Sequence, residues 1–183
     1  SLPTSFRVIG IGEATEEVIE TVQSYRYDCV SATVLTEPFE CIPTDEDKMV
    51  IIVAKDNEDH ANSIANTFHE AGVLTIGLLD NADLECYDGV MVETSRAEYP
   101  DLIKALLQPI ATQGMIAYDF SDLQTTLADA KHFFIKSATG HGNERVAEAV
   151  GHIKSSLSSS MLETIRRISI LLYFNKEGEQ PLL

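Results

Sequence analysis

The chain has 183 residues, 13 of them Lys or Arg and 29 Asp or Glu, for a formal net charge of −16. Such a surface repels nucleic acid and anionic lipid and disfavours an unassisted polyphosphate, and no basic patch with interleaved aromatics offsets it. An apolar fraction of 44%, with seven Phe and six Tyr, can fill a core, which sets aside wholesale disorder; the length suits one domain, or one domain and part of a second.

FRVIGIG, Phe6 to Gly12, is a β-branched apolar run ending in glycines and predicts a buried parallel strand. Ala14, Val18, Ile19 and Val22 then recur at helical spacing over residues 13 to 25. CVSATVL, Cys29 to Leu35, predicts a second strand, and Pro38, Pro43 and Asp45-Glu46-Asp47 a polar connection. MVIIVA, Met49 to Ala54, is the plainest buried strand, followed by a helix from about Glu58 to Ala71 with Gly72 as its stop. VLTIGLL, Val73 to Leu79, and GVMVET, Gly89 to Thr94, predict two more strands. Strands alternating with helices imply a doubly wound parallel sheet.

Pro100 sits where a first helical residue would, and a helix is expected from there to about Ile110, kinked or ended by Pro109. GMIAYDFSDLQTTLADA, Gly114 to Ala130, opens another helix behind Asp119 and Asp122. A strand follows in KHFFIKSATG, then a glycine turn at Gly140 to Gly142, a helix over 143 to 157, and a last strand in ISILLYFN.

Cys29, Cys41 and Cys86 are an odd count without CxxC spacing and read as free thiols in a reducing compartment. No cationic, apolar opening marks a signal peptide, and no stretch approaches the ~18 apolar residues of a membrane span. A cytoplasmic location is expected. His60 and His69 are too far apart on one helix to make a zinc pair, and neither a GxSxG elbow nor a GxxxxGK[ST] loop occurs. No metal site is legible.

In order, these pieces resemble the FtsZ/tubulin superfamily. VIGIG is similar to the family's first strand and phosphate loop, and MVIIVA, its following helix and VLTIGLL to the strands around its signature loop. PDLIKALLQPI resembles the start of the central core helix and GMIAYDFSDL the catalytic loop. HFFIKSATGHGNERVAEAV and ILLYF resemble the beginning of the second domain. The resemblance implies an α/β fold of Rossmann-like FtsZ type. Residues 1–112 would form a shortened nucleotide-type domain, and residues 113–183 a catalytic-type loop with a truncated second α+β domain. It also implies that Gly10 and Gly12 lie at a nucleotide-binding turn and that Asp101 matches a guanine-reading position. Asp119 and Asp122 match the acids that enter the next subunit and polarise the water attacking its GTP.

The residues themselves depart from that pattern. A polyphosphate needs backbone without Cβ atoms to come close and aim N–H groups at it. Behind Gly12 stand Glu13-Ala14-Thr15-Glu16-Glu17, where the family has glycines. In place of GGGTGTG stand Lys55-Asp56-Asn57-Glu58-Asp59-His60, which read as ordinary N-capping chemistry. The asparagine that accompanies the catalytic acids is Ala117 here, and Asp119 and Asp122 serve equally as capping residues of the helix they open. Asp101 suits a helix first turn without any ligand.

The expected function is therefore non-catalytic: a pseudo-GTPase without cofactor, acting in cell division or filament regulation through contact with itself or an FtsZ-type filament. The alternatives are a self-assembling GTPase holding GTP with Mg²⁺, and a dinucleotide or small-molecule site at Gly10-Ile11-Gly12, which lacks the third glycine of that fingerprint.

Overall fold

The computed structural model describes residues 5–91, 95–111, 132–133 and 140–156. Its strands are β1 (Phe6–Ile11), β2 (Val30–Leu35), β3 (Met49–Ala54), β4 (Leu74–Leu78), β5 (Gly89–Met91) and β6 (His132–Phe133). They form one six-stranded sheet in the order β2-β1-β3-β4-β5-β6, with every pair parallel. All residues of β3 and β4 are buried, as expected of parallel strands covered on both faces. The helices are α1 (Glu16–Ser24), α2 (Glu58–Glu70), α3 (Tyr99–Ala111) and α4 (Arg145–Ser156).

Strand alternation divides the core in two. Phe6, Val8, Met49, Ile51, Val53, Leu74, Ile76 and Leu78 pack against Val18, Ile19 and Val22 of α1 and Ile103, Leu106 and Leu107 of α3. On the other face Ile9, Ile11, Val50 and Ile52 meet Ala61, Ile64, Ala65 and Phe68 of α2, with Tyr87. Helices on both faces make this the doubly wound α/β sheet that the alternation predicts. The chain runs from β1 outward to β2 and back past β1 to β3, so the topological switch lies between β1 and β3. Open α/β sheets of this kind place their ligands at the carboxyl ends of those two strands.

Local chemistry sets the boundaries. Gly72, at φ 82°, ends α2 in a Schellman motif: its amide donates to His69 O and that of Val73 to Phe68 O, each at 3.1 Å. The expected first helix is two elements, a 3-10 turn over Glu13–Thr15 and α1 proper. α3 begins at Tyr99 rather than Pro100, behind a 3-10 turn whose Ser95 and Glu98 form a capping box. It also runs through Pro109 to Ala111 rather than stopping there; so near the end, a proline removes one backbone bond and little helix remains to misdirect. Residues 92–94 of the fifth strand, the ISILLYFN strand and the domain boundary at 112 lie outside the described residues. His132 and Phe133 pair with Val90 and Met91, adding an edge strand to the same sheet.

The connection of residues 36–48 crosses β1 without a helix and is pinned by Arg7, which points from β1 to the α2 side. Its guanidinium donates to Ile42 O (3.1 Å), Asp47 Oδ2 (3.1 Å) and Cys41 Sγ (2.8 Å), and stacks 5.1 Å from the Phe68 ring centroid. Asp47 Oδ2 also accepts the Thr44 amide at 2.7 Å, and its side chain is only 2% exposed. Arg7→Met would keep the stem over Phe68 and strand that carboxylate. The expected loss is about 2–4 kcal/mol, seen as a lower urea midpoint at unchanged slope.

Tyr87, fully buried, donates from its hydroxyl to Asn62 Oδ1 at 3.0 Å; Asn62 in turn holds the Asp83 amide (3.1 Å) and the Asn81 carbonyl (3.3 Å). Burial pushes the Tyr87 phenol far above its ordinary range, with Cys86 and Asp83 adding to the shift. A raised folded-state value means that the folded protein holds this proton more tightly. The stability it contributes is complete below the free phenol's value of about 10 and falls as pH rises beyond it. Alkaline unfolding followed between neutral pH and pH 11 should therefore be steeper in the parent chain than in Tyr87→Phe.

Candidate functional site

The turn that leaves β1 opens at the switch point and is the candidate site. Gly12 has φ 87° and ψ 166°, a conformation for glycine. Its amide donates to Leu35 O at 2.8 Å, extending the ladder with β2. Its carbonyl accepts both the Thr15 amide (3.1 Å) and the Thr15 hydroxyl (2.7 Å). Thr15 is fully buried. Both main-chain groups of Gly12 are thus occupied inside the protein.

Gly10 has a different reason to be glycine. A Cβ there would stand 2.2 Å from Thr15 Oγ1 and 2.8 Å from Ile19 Cγ1. The missing side chain makes room for the threonine that closes the turn and for α1 to settle on β1. A Cβ on Gly12 would meet Asn57 Nδ2 at 2.8 Å and Asp56 Oδ1 at 3.6 Å. The turn after β3 therefore folds directly against the turn after β1. Asn57 takes the left-handed conformation (φ 54°, ψ 37°), and its amide donates to Asp56 Oδ1 at 3.0 Å. Ordinary N-capping is expected here; instead Asn57 makes no side-chain cap bond, because its amide is turned sideways to Asp56 and Gly12.

Around this closed turn Glu13, Glu16, Glu17, Asp56 and Asp59 are exposed, with Glu58 half-buried beside them. Lys55, also half-buried, is the cation of the β3–α2 turn. Next to it Phe39, with φ 52°, stacks on His60 at a centroid distance of 4.6 Å and brings the acidic connection onto the first turn of α2. Each like charge a few ångströms from a phosphate costs about 1–4 kcal/mol at a protein surface. Among the described residues no group of three or more His, Cys, Asp and Glu could hold a metal ion.

The other candidates lie elsewhere. Asp101 is exposed in the first turn of α3, where it helps raise the Tyr25 phenol, a shift owed first to burial. The Tyr25 hydroxyl donates to Pro100 O at 3.2 Å, and Lys104 Nζ lies 5.3 Å from the Tyr25 ring centroid, so the polar start of α3 is built around that tyrosine. Asp119 and Asp122 lie outside the described residues. Of the five candidates, the structure brings together Gly10 and Gly12. Thr15 and Asn57, not singled out from the sequence, complete the turn. A Gly-x-Gly-x-x-Thr spacing was the available signal for Thr15; Asn57 read as a cap.

No protein-family model and no curated protein matches the sequence. Solved structures do: an empty FtsZ dimer from M. jannaschii aligns at a TM-score of 0.63 and 12% identity, over 85% of this chain and 69% of that one. A tryptophan-to-tyrosine mutant of FtsZ from M. jannaschii aligns at 0.60 and 14%, over 84% and 71%. The chain thus has an FtsZ/tubulin-like fold, as the order of its motifs implies. Among the described residues no helix is long and apolar enough to cross a membrane.

If Gly10 serves packing alone, its cost on substitution must run through Thr15. Gly10→Ala should destabilise by about 2–3 kcal/mol, and Thr15→Ala in the same chain should recover part of that. Additive losses in the double-mutant cycle would show that the two positions act separately.

Proposed function

We propose that this chain is a non-catalytic FtsZ-like protein, a pseudo-GTPase that works by contact with another protein. Its partner is a second copy or an FtsZ-type filament, and its role filament regulation, as in cell division. The observation that supports this most is the state of the Gly12 turn. Its amide is spent on Leu35 and its carbonyl on Thr15, while Asn57 and Asp56 press against it.

GTP with Mg²⁺ does not fit the residues present. The cation could offset part of the repulsion from Glu13, Glu16, Glu17 and Asp56, but it could not supply the main-chain donors that a triphosphate requires. Asp119 and Asp122 are then a docking element, vestigial as catalysts, in a loop of residues 114–122 like the one that enters a neighbour's nucleotide face. A unit with such a loop and no phosphate cradle joins a filament at one end only, and so caps it.

Co-sedimentation with polymerised FtsZ tests this. The chain should pellet with the polymer, shorten it at substoichiometric amounts, and do neither as Asp119→Ala/Asp122→Ala. Phosphate release from GTP by the chain alone should equal that of buffer. Failure to pellet, or turnover that the double mutant abolishes, would overturn the proposal.

A further inference from the structure

Among the described residues β2 forms one edge of the sheet. In its ladder with β1 the Leu35 carbonyl faces the Gly12 amide and the Cys29 carbonyl faces the Phe6 amide. Alternation along the strand then turns the main-chain groups of Cys29, Ser31, Thr33 and Leu35 inward and those of Val30, Ala32 and Val34 outward. The outward direction is visible at Ala32, whose carbonyl accepts the Gln23 side-chain amide at 2.7 Å. The Val30 amide bonds back to Tyr27 O at 3.2 Å. Among the described residues, nothing takes the amides of Ala32 and Val34 or the carbonyls of Val30 and Val34.

Natural proteins guard such edges with lysine, proline, a bulge or a very short strand. Cys29 to Thr36 contains no charge and no proline, and β2 keeps an unbroken six-residue register with β1. Tyr27, Cys29, Val30, Ala32 and Val34 pack on the core yet stay only half-buried, so the edge leaves apolar side chains that a further strand would cover. The surroundings give that strand its charge. Asp28 and Glu37 flank β2, Glu16, Glu17 and Glu20 are exposed on the helix packed against it, Glu40 lies just beyond, and Arg26 is the opposing cation. A second copy would bring the same carboxylates on a chain of net charge −16.

We propose that the open edge of β2 is a strand-addition site for an extended basic segment of another protein, with aliphatic residues at alternate positions. Main-chain bonds at Ala32 and Val34 would give it affinity, and the flanking carboxylates its preference for Lys and Arg. The site is built from β2 and its flanks and does not depend on the function proposed above.

Labelled peptides of about eight residues, the length of a typical strand with flanks, would test the site on the full chain by fluorescence anisotropy. The probes are alternating Val and Lys, alternating Val and Glu, and the Val–Lys peptide with a central proline. The Val–Lys peptide should bind, the other two about tenfold or more weakly, and the Ala32 and Val34 amides should gain protection from hydrogen exchange on binding. Ala32→Pro removes an outward amide that β1 does not use and should weaken binding about tenfold; Val34→Lys should do the same by repulsion if the proline variant fails to fold. Equal binding of the proline-broken peptide, indifference to both substitutions, or no binding at all would overturn the proposal. So would a peptide-free dimer that protects the same two amides.

Discussion

The Thr15 hydroxyl bonded to the Gly12 carbonyl is the contact on which the rest of the site depends. It exists because Gly10 leaves room for it: an alanine there would place a methyl 2.2 Å from the oxygen. With Thr15 seated, the chain leaves β1 through a tight 3-10 turn, α1 settles onto the sheet through Val18, Ile19 and Val22, and Gly12 is held at a positive φ against Leu35. Closing the turn and positioning the helix are one event. Thr15 occupies the Gly12 carbonyl while the ladder with β2 occupies its N–H, so both main-chain groups of the turn are bonded within the domain.

The second turn at the switch point reinforces the first. β3 ends where β1 ends, so residues 55–57 and Gly12 are neighbours by register, with Ala54 opposite Ile11. In a phosphate-binding fold both turns would be bare main chain. Here one presents Asn57 in a left-handed conformation bonded to Asp56, and the other presents Glu13 and the acidic first turn of α1. Both changes act in the same direction, one steric and one electrostatic. On the α2 face of the sheet, Arg7 gathers the acidic 36–48 connection and pairs with Asp47, whose carboxylate is almost wholly buried.

Much of this was legible in the residues and some was not. β3 could be bounded to the residue because an unbroken, β-branched apolar run lies between Lys48 and Lys55, and the doubly wound sheet followed from strands alternating with helices. The acidic replacements after Gly12 and Ala54 were visible as departures from a glycine pattern. The reason for Gly10 was not, because it lies in a side chain five residues on that had no marked chemistry of its own. Nor was the role of Arg7: its partner Asp47 is 40 positions away, and a polar connection with two prolines gives no periodic trace of the strand it crosses. Asn57 does stand at the N-cap of α2, but the sequence cannot tell that its side-chain amide is drawn toward Asp56 and Gly12 instead of capping the helix. Asp119 and Asp122 lie outside the described residues.

In an FtsZ-like fold whose Gly12 turn is bonded from inside, a nucleotide finds no free main-chain donor at Gly12, and one titration reads this out. Backbone amide resonances of Gly12, Glu13 and Ala14 would be followed while GTP with Mg²⁺ is raised to about millimolar, a range that detects even weak binding. These three resonances should not move. A saturable shift centred on Gly12 and Glu13 would contradict this.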